Sequence, residues 1–203
     1  MLAKAFLLSS FFLPLVVCSL AAPPAPAPEA PADDESPTGF IRAQCGATRY
    51  PDLCFTSLSG YASAVQHSPL QLACAAANVT LSRLRSLRAH VSALRSSGTG
   101  AGSEAAAALS DCEETLDAAG SLVSRSAGEL RGLESLQGSE AAWRVSNAQT
   151  WMSAAMTNED TCADGLESVS GGDVKVDVSG QVRGVKQFTS NALALVNRLA
   201  GGR

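Results

Sequence analysis

Aromatic residues make up only 5% of this 203-residue chain, and histidine occurs twice, at His67 and His90. A hydrolase needs a nucleophile, a base and an orienting group, or paired carboxylates at a fixed separation, and two histidines leave little material for most such sites. There is no Gly-x-Ser-x-Gly elbow, no phosphate-cradling glycine loop, and no Cys-x-x-Cys or Cys/His spacing suited to zinc. Basic charge is short as well: 15 Lys and Arg against 19 Asp and Glu give a net charge of −4. A nucleic-acid binder would need the opposite sign and a basic stripe. Charged residues at 17% are too few, and hydrophobic residues at 46% too many, for an intrinsically disordered chain. Past the N-terminal segment no run is apolar enough to span a bilayer. Catalysis, a metal, a cofactor and nucleic acid are therefore not expected.

What is present begins with a targeting pattern. Lys4 precedes an apolar run from Ala5 to Val17, which ends in the small residues Ser19, Ala21 and Ala22. That is the layout of a secretory signal over residues 1–21, cleaved after Ala21. The rival, a membrane anchor, is disfavoured by Ser9, Ser10 and Pro14 within the run and by the lack of a basic stop-transfer flank. Residues 22–37 are Pro/Ala-rich and then acidic, which predicts an extended linker. The folded domain is expected over 38–203.

Four long stretches then repeat apolar residues by threes and fours. The first runs through Leu70, Ala73, Ala77, Thr80, Leu84, Leu87, Val91 and Leu94. The second takes in Ala105, Leu109, Cys112, Leu116, Ala119, Val123, Leu130 and Leu133, weakened by Gly120, Gly128 and Gly132. The third holds Val145, Ala148, Met152, Ala155, Cys162, Leu166 and Val169, and the fourth Val178, Val182, Val185, Ala192, Val196 and Leu199. Amphipathic helices joined by short Gly/Ser links predict an all-α fold, an antiparallel up-down four-helix bundle over 69–200. Residues 38–66 read differently. Tyr50-Pro51-Asp52 restarts a helix between Cys45 and Cys54, so a helical hairpin should precede the bundle.

Six cysteines become five once Cys18 leaves with the signal. In an oxidising compartment disulfides are expected, with one thiol left over. Cys45 and Cys54 can meet across the hairpin turn, and Cys112 and Cys162 fall on inward stripes of adjacent helices. Cys74 lies one position off its stripe. Spacing alone leaves other connectivities open.

The segments CGATRYPDLCFTSL, DCEETLDAA, TWMSAAMTNEDTCADG and TSNALALVNRL together resemble the plant pectin methylesterase inhibitor and invertase inhibitor family, over about Phe40 to Leu199. The resemblance implies a four-helix bundle behind a hairpin, with the pairs Cys45–Cys54 and Cys112–Cys162. It implies a secreted cell-wall (apoplastic) protein without catalytic activity, which binds a carbohydrate-active enzyme one to one and covers its cleft. Pectin methylesterase is the expected partner. The invertase alternative is disfavoured because the Pro-Lys-Phe motif of invertase inhibitors is absent, Lys186-Gln187-Phe188 being a superficial echo. A non-inhibitory structural or signalling role is the remaining alternative, and a monomer is expected.

The resemblance also implies that contacts lie on polar faces of the second and third bundle helices. Here those faces offer Glu113, Glu114, Asp117 and Ser121, then Asn158 and Glu159, although Glu159 also falls on the inward stripe between Ala155 and Cys162. Asp111, Glu113, Glu114 and Asp117 otherwise read as a solvated face. Asn78-Val79-Thr80 is an N-glycosylation sequon on a polar face of the first long helix. Trp143 and Trp151 are expected in core or boundary packing, and Arg83, Arg85, Arg88 and Arg95 as a solubilising run.

Overall fold

The computed structural model describes residues 35–98, 102–167, 169 and 172–201. The expected signal and nearly all of the linker lie outside them. The elements are α1 (Pro37–Cys45), α2 (Pro51–Leu58), a 3-10 turn (Ser59–Tyr61), α3 (Ala62–Val65) and four long helices: α4 (Pro69–Ser96), α5 (Ser103–Arg131), α6 (Gly138–Glu167) and α7 (Asp173–Gly201). No strand occurs among the described residues. No helix among them is long and apolar enough to cross a membrane.

Local chemistry sets the starts and stops. The Ser36 and Ser68 hydroxyls cap α1 and α4, accepting from Gly39 N at 2.9 Å and Gln71 N at 3.2 Å, and each is followed by proline at the first helical position. Pro51 opens α2, with Asp52 in the first turn, where the helix dipole favours an acid. Gly98 and Gly138, with φ of 66° and 67°, make the turns at the end of α4 and the start of α6, a conformation that glycine adopts without a side-chain clash. α5 runs unbroken through Gly120 and Gly128 and stops at Gly132. Its packing against both neighbouring helices outweighs the propensity loss of about 1 kcal/mol per glycine.

In the bundle α4 packs on α5, α5 on α6 and α6 on α7, and α7 closes back on α4. The inward stripes are buried, with Leu70, Leu94, Ala105 and Leu199 half-covered near helix ends. Polar groups drawn into this core find partners there. Thr80 Oγ1 donates to Ala76 O at 2.9 Å, and Ser126 Oγ donates across to Ala148 O of α6 at 3.0 Å.

Two disulfides staple the fold. Cys45–Cys54 closes the hairpin with Cα atoms 5.5 Å apart, and Cys112–Cys162 joins α5 to α6 at 4.3 Å. The hairpin is also fastened to α7. Asn191, only 4% exposed, accepts from Tyr50 N at 3.1 Å and donates to Tyr50 O at 2.9 Å, which satisfies both backbone groups of one residue. His67, in the link before α4, donates through Nε2 to Glu35 O at 2.7 Å and sits edge-on to Phe40. Cys74 is a free, half-buried thiol. Burial pushes its pKa up, against the pull of Arg131 and with the help of Glu134, so little reactive thiolate forms.

One expectation needs correcting. Trp143 is 60% exposed rather than packed. It lies between the stripe positions Ala141 and Val145, which turns it to the outer side of α6. Trp151, one position from buried Met152, is half-buried with the Arg125 guanidinium 5.4 Å above its ring.

Candidate functional site

Glu114, Asp117 and Ser121 are all exposed on α5, and their spacing of three and four places them in one row along the helix surface. Asp111 extends the row by one turn and is exposed too. The row stands on a stiff base. α5 is tied to α6 by the Cys112–Cys162 disulfide, by the Ser126–Ala148 hydrogen bond and by Asn147 Nδ2, which donates to Glu129 Oε1 at 3.3 Å. A face fixed at several points along its length keeps its side chains in register before any partner arrives, which lowers the ordering cost of association.

The α4 arginines shape the charge on this face. Arg88 Nε lies 3.1 Å from Asp117 Oδ1, and Arg88 Nη2 lies 3.8 Å from Glu113 Oε1. Arg95 Nη2 lies 2.9 Å from Glu113 Oε2. Glu113 keeps only 14% of its side-chain exposure and is held by two cations of its own chain, so it braces α4 against α5 more than it offers itself to a partner. Glu114 and Asp117 remain the outward carboxylates. The arginine run read from the sequence as a solubilising face therefore partly serves as the counter-charge to α5.

On α6, Asn158 is half-buried, its amide donating to Ala154 O at 2.9 Å. It lies eleven residues after Asn147, three turns on, so both share the side of α6 from which Asn147 reaches α5. Asn158 thus borders the α5 row from the neighbouring helix.

Glu159 is a correction. It is fully buried, 0% exposed, and as folded cannot serve as a contact residue. Its position on the stripe between Ala155 and Cys162 turns it inward. Thr189 of α7 donates to its Oε1 at 2.5 Å, while Oε2 has no hydrogen-bond partner. Burial pushes its carboxyl up to about 7, opposed by the Thr189 hydrogen bond and the Lys186 charge and assisted by Asp160. Asp160, the next residue, pairs with Lys186 of α7 on the same seam and is partly exposed.

Asn78 is exposed on α4, where a glycan would stand clear of the core. His90 Nε2 pairs with Asp177 Oδ2 of α7 at 2.7 Å, a contact at the surface. The hydrogen bond from Gln181 and then the one from His90 hold the Asp177 carboxyl below its ordinary range. Among the described residues no group of three or more His, Cys, Asp or Glu is placed to hold a metal ion. Sequence reading gave Asn191 and Thr189 no role of their own, because the polar run Thr189-Ser190-Asn191 in the last helix gives no sign of what each side chain meets across the bundle. The arrangement offers a braced polar face suited to docking.

Residues 39–195 match the family model described as plant invertase/pectin methylesterase inhibitor. The chain is 40% identical over 162 residues to the 21 kDa protein of Daucus carota, covering 79% of this chain and 83% of that one. It is 37% identical over 193 residues to pectinesterase inhibitor 11 of Arabidopsis thaliana, covering 94% and 95%. Pectinesterase 3 of Phaseolus vulgaris is 30% identical over 181 residues, covering 84% of this chain and 29% of that protein. The fold is shared with the crystal structure of a mutant form of a pectin methylesterase inhibitor from Arabidopsis, at a TM-score of 0.60 and 18% identity, over 80% of this chain and 96% of that one.

Proposed function

Since the chain belongs to the plant invertase/pectin methylesterase inhibitor family, a family of inhibitors rather than enzymes, we propose that it is a secreted protein that forms a reversible 1:1 complex with pectin methylesterase and covers its active-site cleft. The observation that carries this reading is the likeness to pectinesterase inhibitor 11 along 94% of the chain. The α5–α6 face supplies a physical means. A row of carboxylates and a hydroxyl on α5, which is cross-braced to α6, can lie over a cleft by shape and hydrogen bonding. Its acidic sign speeds encounter with a basic rim. In the cell wall, blocking the enzyme would keep pectin methyl-esterified.

The missing Pro-Lys-Phe triplet supports pectin methylesterase over invertase. Purified protein mixed with each enzyme separates the two: demethylation of pectin should fall while sucrose hydrolysis continues. Inhibition of invertase alone would reverse the assignment, and retention of neither enzyme from a wall extract would favour a structural role.

Asp117→Lys tests the docking row. It reverses a charge that is 62% exposed and, among the described residues, paired with Arg88 alone, itself 48% exposed, and such surface pairs contribute about 0–1 kcal/mol. Inhibition should weaken by roughly tenfold, about 1.4 kcal/mol of binding, with the melting temperature almost unmoved. A collapse of the melting temperature would make Asp117 a structural residue instead.

A further inference from the structure

Where the link between α1 and α2 meets α6 and α7, a pocket of about 290 Å³ opens that uses none of the docking residues. Its charged lining is Arg49 from the link and Arg183 and Lys186 from α7. Lys186 bonds to Asp160 of α6, whereas Arg49 and Arg183 are exposed and enter no ion pair among the described residues. Asp160, and the buried Glu159 on which Lys186 also acts, answer Lys186, which leaves the Arg49 and Arg183 charges without an ion-pair partner among the described residues, in a chain whose net charge is −4. This concentration runs against the bias of the whole molecule.

The walls are fixed in advance. Tyr50, which lines the pocket, has both backbone groups clamped by buried Asn191, and the Cys45–Cys54 disulfide closes the link that carries it. The Arg49 guanidinium stands 5.8 Å from the Tyr50 ring centroid. A pocket whose backbone is already held loses little freedom on binding.

The chemistry of the lining narrows the ligand. Guanidinium forks match a carboxylate in shape and charge. The Tyr50 ring and Met156 give an apolar wall for the C–H face of a pyranose. Gln187 and Ser190 supply donors and acceptors for ring hydroxyls. The space suits one or two sugar units rather than a protein segment. A phosphate would use the arginines but not the apolar wall.

We propose that this pocket binds an acidic polysaccharide through the free carboxylate of a uronic-acid residue. The site would let the protein hold a carboxylated wall polymer with one part of its surface while the α5–α6 face remains open to a protein partner. The inference stands apart from the inhibitory reading, and either can fail alone.

Calorimetric titration of the full secreted chain tests it, with a trimer of galacturonic acid, its methyl ester, a neutral glucose trimer and inorganic phosphate as probes. The free acid should bind at least about tenfold more tightly than the other three, and Arg49→Ala and Arg183→Ala should each weaken it by about tenfold. Both positions are exposed, so melting temperature and inhibition of pectin methylesterase should stay as in the parent. Equal affinity for phosphate, undiminished binding by both variants, or no binding of the free acid at about 10 mM would each overturn the proposal. So would loss of inhibition together with loss of sugar binding, since that would assign the two arginines to the enzyme-docking surface.

Discussion

Glu159→Gln should stabilise the bundle by about 3 kcal/mol above pH 7 and leave it unchanged below about pH 4. The carboxyl is fully buried, receives one hydrogen bond from Thr189, and leaves Oε2 unpartnered. The charged groups acting on it are Lys186 from α7 and Asp160 from its own helix. Burial therefore dominates and raises the carboxyl from 4.5 to about 7. A raised folded value means that the folded chain holds its proton more firmly than the unfolded one. Below pH 4.5 both states are protonated and the parent is at its best. As pH climbs from there the unfolded carboxyl ionises first, and stability falls until the folded carboxyl ionises too, near pH 7. That gap, at ~1.4 kcal/mol per pH unit, gives the ~3 kcal/mol. Gln keeps the acceptor for Thr189 and carries no charge at any pH. In a domain of this size the gain corresponds to roughly 6–12 °C in melting temperature. Melting curves of both proteins between pH 4 and 8 provide the check: they should coincide in acid and diverge towards neutrality. Parallel curves would show that Glu159 is not the source of the pH dependence.

Removal of the α5–α6 staple should have a still larger effect in the opposite direction. Cys112 and Cys162 are 1% and 2% exposed and close a loop with a sequence separation of 50. Chain-entropy arithmetic for a loop of that length gives about 4 kcal/mol, against about 2.5 for the Cys45–Cys54 loop with its separation of 9. The double variant Cys112→Ala/Cys162→Ala, which buries no new polar group, should lose about 4 kcal/mol in guanidinium unfolding. It should also inhibit less well than its stability alone explains, because the proposed docking face combines the α5 row with Asn158 of α6 and so depends on the fixed spacing of the two helices. The Cys45→Ala/Cys54→Ala variant should lose less, since the Asn191–Tyr50 clamp still fastens the hairpin to α7. Equal losses from the two pairs, or a loss below about 1 kcal/mol for the first, would contradict this ranking.

The four long helices were legible because their apolar spacing is regular and glycines punctuate it. The hairpin was legible because Tyr50-Pro51-Asp52 restarts a helix between two cysteines. The inward turn of Glu159 could be suspected from its place on the stripe of α6, but not its meeting with Thr189, since the register of α6 against α7 is set by packing along both helices. The same holds for Arg95 and Glu113, and most of all for Asn191 and Tyr50, which lie 141 residues apart. Trp143 was misread by its chemistry. Its position between Ala141 and Val145 already turned it outward, and its hydrophobic character did not override helix geometry. The proposed docking row was half legible: the sequence supplied acidic residues spaced by three and four, while the arginines that occupy Glu113 come from a helix whose facing side appears only once the bundle closes.

Titration of a fixed amount of pectin methylesterase with the purified protein tests the central claim most directly. A bundle that seals the cleft one to one predicts a loss of activity that is linear in added protein and ends at one equivalent. Full demethylation activity in the presence of a several-fold molar excess would contradict it.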